Sequence, residues 1–423
     1  MKALGFFTII FLSLLSKNVF GQKTSQISLS NSLGIARADE LIVLPRKLLE
    51  KKFGAFPIDQ YVIVTTKDKA PIVVQYDDMT GDGIWDELAF LYSFKPKENI
   101  ILSLAVAKVP ATIKAVVRAH VRHRKKNADD SFGPIVTKDV MPDKNPPTDF
   151  SKIPLPPYLT EGPAWENDKI AFRMYFDTRN GKDVFGKIVP GMVMDTIGAN
   201  HNNSYHELSN WGMDVLHVGK SLGAGAIAIA TKDINGKDTL IRLGGPNVKN
   251  ETYEMIADGP VRAIFRLKFD WVINNRSVQI IDETSIWGGQ FFYETKLKIT
   301  GAPVQAKLVA GFADFYDNKP GQLATSKTKI FYSFGPQSEN KDNLGLAVAV
   351  PAMEFSNYYK IGKINSDIQE SYIVSQKIKT GKPVLYRFYS GWERADKRFA
   401  TKEGFETFLN SQAATFTSSI IVK

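Results

Sequence analysis

A chain of 423 residues with 43% hydrophobic and 11% aromatic side chains can bury a large core, which excludes a disordered or low-complexity protein. It contains no cysteine, so disulfides, cysteine-based zinc sites and a lipid anchor on an N-terminal cysteine are excluded as well. The formal net charge of +10 suits a polyanionic partner or a solvated lysine-rich surface, and no recognisable motif directs that charge toward nucleic acid.

The N-terminus reads as a secretory leader over residues 1–21. Lys2 supplies the positive end, Ala3 to Leu15 is apolar, and Val19-Phe20-Gly21 offers a cleavage site before Gln22. The apolar run falls short of the about 20 residues that span a bilayer, and no later run is long enough. The expectation is an exported protein, periplasmic or secreted, that does not span the membrane; loss of Lys2 and Lys17 leaves it at about +8.

Short runs rich in Val, Ile, Leu, Tyr and Phe then follow one another. Ala38–Pro45, Tyr61–Thr66, Ile72–Tyr76, Glu87–Phe94 and Ile100–Ala107 form a first group of predicted strands. A second comprises Ile170–Asp177, Ala224–Thr231, Thr239–Leu243, Ala263–Trp271, Ser277–Trp287, Phe291–Ile299 and Val304–Phe312, with tight turns at Asn235-Gly236 and Asp258-Gly259. Lys329–Phe334, Leu344–Val350, Ser371–Gln376 and Pro383–Tyr389 complete the series, and helical patterning is confined to Leu48–Phe53 and Lys402–Ser411. The fold class is all-β. Prolines, lysines and aspartates crowd residues 127–157. This predicts a small N-terminal β-module over 22–126, a linker over 127–157, and a large antiparallel β-sandwich of supersandwich type over 158–423.

Within the first module, Asp78, Thr80, Asp82 and Asp86 flank Gly83 in an alternating acidic loop. Such alternation supplies oxygens for a structural Ca2+. Equally, it supplies carboxylates that cap the amides of a hairpin. The run His120–Lys126 reads as a solvated strand edge.

Farther on, Glu161, Trp165 and Glu166 precede a strand in which Phe172, Met174 and Phe176 alternate with Arg173, Tyr175 and Asp177. The first set faces a core and the second does not. Three of the five histidines lie between His201 and His217, with Tyr205, His206, Glu207, Trp211 and Asp214 among them. His201, Tyr205, His206, Arg173 and Glu166 are the candidate catalytic residues. Elimination at a uronate needs a base, an acid and a cation over the carboxylate, roles that His, Tyr and Arg fill. Hydrolysis instead needs two carboxyl groups, for which Glu161, Glu166, Glu207 and Asp214 are available. A metal site on His201 and His206 matches no zinc helix spacing. Trp165, Glu161, Trp211, Asp214, Trp392 and Arg394 are the candidate substrate-binding residues, the tryptophans as stacking platforms and the charged groups as clamps; buried core aromatics are the competing reading.

Gln75–Leu88, Glu161–Asn167, Arg173–Phe185, Tyr205–Gly219 and the aromatic Tyr386–Trp392 block together resemble a family of exported bacterial proteins of unknown function. The resemblance covers nearly the whole mature chain. It implies a setting among genes for polysaccharide degradation and a fold like the β-sandwiches of aldose mutarotases and polysaccharide lyases. No site residue can be carried over from it. The expectation is a carbohydrate-active enzyme on uronate-containing oligosaccharides, by elimination or hydrolysis, with no required cofactor beyond a structural Ca2+ in the acidic loop. The alternative is a non-catalytic protein that binds acidic oligosaccharide or polysaccharide.

Overall fold

The computed structural model of the protein describes residues 23–111, 113–142, 145–200, 204–316, 318–363, 367–379 and 381–423. The expected leader and His201 lie outside the described residues. The chain is 8% helical and 47% strand, in sheets paired antiparallel throughout, so the all-β expectation holds.

Near the N-terminus, Thr24–Ser30, Asn99–Ala107 and Tyr61–Thr65 make a sheet that the terminal Ile421–Val422 joins at its edge. A three-stranded sheet of Arg37–Pro45, Glu87–Phe94 and Gln75–Asp77 packs with it around Leu44, Val64, Leu88, Phe90 and Leu104. The alternation of buried and open positions along Tyr61–Thr65 is what one wet face and one core face demand. Arg262 fastens this body to the rest through Asp77 at 2.7 Å and Glu87 at 2.6 Å.

The remainder is built on a nine-stranded sheet. Its centre runs Val248–Ala257, Arg262–Ile273, Arg276–Trp287, Phe292–Thr300, Val384–Trp392, Leu344–Pro351 and Thr328–Gly335 in spatial order. Two five-stranded sheets contribute to the same core: one of Gly212–Asp214, Lys182–Lys187, Ile170–Met174, Ala164–Asn167 and Ala119–Arg122, the other of Asp238–Arg242, Ala224–Lys232, Lys307–Ala313, Ser371–Lys377 and Phe355–Ile361. The helix Lys402–Phe416 packs Phe405, Phe408 and Leu409 with Phe291, Ala347 and Tyr389 of the large sheet in a separate cluster. Its N-cap Thr401 accepts the Gly404 N–H, as a threonine before a helix should.

One sequence expectation needs correction. The run His120–Lys126 is solvated only in its second half: Ala119–Arg122, the edge strand beside Ala164–Asn167, and His123 are buried, while Arg124–Lys126 are partly or fully exposed. Its polar groups persist there by bonding. His120 lies between Asp195 and Asp258, His123 meets Asp139 at 2.9 Å, and Arg122 donates to the carbonyls of Met194, Leu159 and Gly162. Burial, helped by the nearby Arg124 charge, pulls the Arg122 guanidinium down to about 9 against the opposing pull of Asp195 and Glu166.

Candidate functional site

The strand Ile170–Met174 divides its side chains as the alternation predicts. Phe172, Met174 and the following Phe176 enter the main core, where Phe172 meets Tyr293 edge-on at 4.9 Å. Ala171 and Phe185 sit in a smaller cluster with Met194, Ile197, Tyr205 and Trp211. Most of these covering groups come from the long excursion between Lys182–Lys187 and Gly212–Asp214, so the second face is roofed by loop rather than by water. Polar groups on that face must therefore find partners inside the protein.

Arg173 is the hub. Antiparallel pairing sets it directly opposite Asp183, and Asp214 lies opposite Phe185 on the next strand. Its Nη2 reaches Asp183 Oδ2 at 2.7 Å, Asp214 Oδ2 at 3.2 Å and the Tyr175 hydroxyl at 3.0 Å. Nη1 reaches Glu161 Oε2 at 3.2 Å and the Tyr205 hydroxyl at 3.1 Å, while Nε donates to Asp183 at 3.1 Å. Arg179 closes the ring by bridging Glu161 at 2.6 Å and Asp177 at 2.5 Å.

Glu161 is delivered by a strained turn. Thr160 and Glu161 have φ of 48° and 65°, the left-handed region that a β-branched residue avoids. Arg122 holds the turn, donating to Thr160 Oγ1 at 2.7 Å and to both flanking carbonyls. At Gly162 a Cβ would stand 2.1 Å from the Met174 carbonyl, so only glycine fits. Strain pinned in this way is typical of sites that must present a group accurately.

Charge sharing sets the protonation states. Burial opposes the Arg173 charge, but the facing phenols, Asp183 and Asp214 hold it well above its usual value. Asp183 takes the two-pronged contact, so burial and the Asp183 charge together push the Asp214 carboxyl well up despite Arg173. His206 is pushed below its usual value by burial and by the Arg173 charge. Burial raises Tyr205, with Arg173 working against it.

Tyr205 and His206 stand adjacent, ring centroids 4.5 Å apart, and His206 Nδ1 lies 3.5 Å from Asp214 Oδ2. Both line an open cavity of about 330 Å3 with Thr160, Asn200, Ser204 and the apolar Phe150 and Pro156. Because Arg173 donates to the Tyr205 oxygen, the phenol proton is free to be given away, and the guanidinium steadies the phenolate left behind. A neutral imidazole beside a phenol of this kind can act as a base–acid pair.

Of the residues expected from sequence, Tyr205, His206, Arg173, Glu161 and Asp214 come together here, with Trp211 half-buried on Phe185. Others are placed elsewhere. Arg173 is 2% exposed with all three nitrogens bonded to protein groups, so it cannot clamp a substrate carboxylate. Glu166 is fully buried, paired with Lys187 at 2.5 Å and accepting the amides of Val193 and Met194. Trp165 is a core residue between Phe172 and Phe265, and Trp392 is wedged against Gly186 with its N–H on Asp342 at 2.6 Å. Arg394 pairs with that same Asp342 at 2.6 Å, away from the cavity. None of these is a stacking platform or a clamp.

In the acidic loop, Asp78 accepts the amides of Gly81 at 2.6 Å and Gly83 at 2.7 Å, Asp86 accepts that of Met79 at 2.8 Å, and Asp82 that of Ile84. Thr80 donates its hydroxyl to Asp78. Among the described residues no group of three His, Asp or Glu is arranged to hold a metal. Sequence reading missed Asp183 and Arg179 as site members; a hairpin joining Ile170–Met174 to Lys182–Lys187 would have set Asp183 opposite Arg173.

Residues 29–422 match the family described as a domain of unknown function, DUF4861, and the chain belongs to that family. It is 23% identical over 404 residues to the uncharacterized protein P7 of Formosa agariphila, covering 90% of this chain and 89% of that one. Among solved structures it is similar to an alpha-mannosidase and to a protein of glycosyl hydrolase family 38, both from Enterococcus faecalis, each at TM-score 0.43 and 10% identity over 96% of this chain. The chain spans 46% and 48% of those two, about half their length.

Proposed function

We propose that this DUF4861 member is an exported carbohydrate-active enzyme that cleaves uronate-containing oligosaccharides by β-elimination, with His206 as base and Tyr205 as acid. The observation that carries this reading is an exposed imidazole and a phenol, side by side on the wall of one cavity and backed by Asp214 and Arg173. His206 takes the proton α to the substrate carboxylate, and the electron pair left there forms the new C4–C5 double bond. The C4–O bond breaks, and Tyr205 protonates the departing oxygen. Hydrogen bonding to the carboxylate falls to Ser204, exposed on the same wall, since Arg173 is engaged. The scheme needs no cofactor.

Two other readings are less well supported. Hydrolysis needs carboxyl groups that reach the sugar. Glu161, Glu166 and Asp214 are each buried and bonded to a cation, and exposed Glu207 lies outside the cavity lining. Pure binding through stacked tryptophans keeps only Trp211 of its three platforms, because Trp165 and Trp392 are core.

The test is incubation with pectic, alginate, glucuronan and glycosaminoglycan oligosaccharides, following ultraviolet absorbance and product size. New unsaturated ends should appear with the native protein and vanish with Tyr205→Phe and His206→Ala. Cleavage without unsaturation would move the chemistry to hydrolysis and sink the proposal.

A further inference from the structure

The Arg173 cluster has a second open side. Tyr175, whose hydroxyl meets Arg173 Nη2, lines a cavity of about 300 Å3 on its own side, while Tyr205 on Nη1 lines the cavity described above. One guanidinium thus contacts a wall residue of each. We infer that this second cavity, bounded by Arg179, Lys220 and Arg242, binds an anionic sugar unit carrying a carboxylate or a sulfate ester. The inference rests on the carbohydrate reading above and extends it to the charge of the substrate.

The argument is one of charge balance. Arg179 is neutralised by Asp177 and Glu161 and lies flat on the Tyr175 ring at 3.8 Å, so it shapes the wall rather than adding charge. Arg242, the last residue of Asp238–Arg242, is different. Its Nη2 donates to the carbonyls of Lys220 and Ser221, each at 2.8 Å, and of Asp367 at 3.2 Å, and Nε reaches the Asp367 carbonyl at 3.4 Å. Carbonyl oxygens fix its orientation without cancelling its charge, and no carboxylate lies within ion-pair distance among the described residues. Burial lowers it to about 10, against the pull of Asp367, which leaves it charged at neutral pH. Nη1 has only a long 3.5 Å contact, to the Arg179 carbonyl, and keeps donor capacity for a guest. Lys220 stands exposed on the same rim with no ion pair among the described residues.

The rest of the lining fits a sugar rather than a bare ion. Val218, Ile241 and Pro246 offer an apolar surface for the C–H face of a pyranose. Asp367, the one acid in the lining, suits neighbouring hydroxyls, which donate. A fixed guanidinium, a mobile ammonium and one hydroxyl acceptor together select a sugar that is anionic at one substituent and neutral at the others.

The test is calorimetric titration of the full mature chain with glucuronic acid, glucose 6-sulfate and glucose. At least one acid should bind about tenfold tighter than glucose, the scale of one charge-assisted hydrogen bond, and raising salt to about 0.5 M should weaken it. A stronger response to glucuronic acid assigns the carboxylate; a stronger response to the sulfate assigns the ester. Lys220→Ala and Lys220→Glu, on an exposed side chain that cannot upset folding, should abolish most of the preference. Equal binding of all three sugars, binding of none, or a preference unchanged in both variants overturns the inference. The two readings separate cleanly. Anion preference with no turnover on any substrate removes the elimination alone, whereas unsaturated products without anion preference remove this site alone.

Discussion

Replacing Arg173 with alanine isolates the worth of the ionic hub. The change strips Asp183 of its only cation among the described residues and leaves Asp214 only His206, and both carboxylates are nearly inaccessible, at 1% and 3%. Glu161 keeps Arg179 and is largely spared. Breaking a buried pair from one side costs about 3–5 kcal/mol, because a charge is left uncompensated in a poorly polar place. Unfolding entropy of about 2 cal/mol/K per residue over roughly 400 residues converts that loss into a drop of about 4–6 °C in melting temperature. The pH dependence sharpens the test. Burial already holds the Asp214 carboxyl above its unfolded value of about 3.9, and losing Arg173, which pulls it down, raises it further, so the folded variant binds that proton more tightly than the native protein does. Its stability therefore falls as pH rises from about 4 through that raised value, and the gap to the native protein is small near pH 4 and widest near pH 8. Scanning calorimetry at one heating rate across pH 4–8 reads this directly, with Arg173→Lys expected in between because an ammonium cannot reach all the partners of the fork. A variant melting within about 1 °C of native at pH 8, or a gap constant with pH, would refute the hub.

The acid limb of the rate profile carries a second expectation. His206 must be neutral to accept a proton and its pKa lies below the usual value, so kcat/KM should rise with pH and level off before about pH 6.5. A limb that persists unchanged in a weakly active His206→Gln variant would assign it to another group. A third concerns His120, for which burial opposes the charge but Asp195 and Asp258 raise it to about 10. A raised histidine stabilises fully below its unfolded pKa of about 6.5, and that stabilisation is lost as pH climbs toward 10. The melting temperature of the native protein should hence decline more steeply over that window than that of His120→Gln; parallel curves would show that the two carboxylates do not hold the imidazolium.

How much of this was legible in the sequence follows from where each side chain finds its partner. The large-sheet strands Arg276–Trp287 and Leu344–Pro351 announce themselves by β-branched and aromatic runs, because there core packing and composition agree. Ala164–Asn167 and Lys182–Lys187 do not, since each is fully buried while carrying charge, a combination that composition alone assigns to the surface. Val248–Ala257 is hidden for a related reason: its outward positions carry Lys249, Glu254 and other polar groups that blur the alternation.

The same physics explains the divided outcome at the site. Glu161, Arg173, Tyr205, His206 and Asp214 were recognisable as a set because polar density within an apolar strand context requires compensation wherever it is buried. What the set does depends on register, which is not local. Arg173 faces Asp183 across one ladder, and Asp214 enters through the next, so with Glu161 the guanidinium meets three carboxylates where a substrate clamp would need none. Glu166 sits opposite Ala171 and His120 in the same sheet, and Lys187 reaches it across a sequence distance of 21 residues. From sequence a carboxylate beside a tryptophan looks the same whether it faces a cleft or a lysine. Only the roof between Lys187 and Gly212 distinguishes the two, by covering Glu166 with the amides of Val193 and Met194 while leaving His206 at the cavity rim. The proposed assignment of base and acid to His206 and Tyr205 thus rests on which polar groups the roof leaves open, with Asp214 and Arg173 bonded to them from behind.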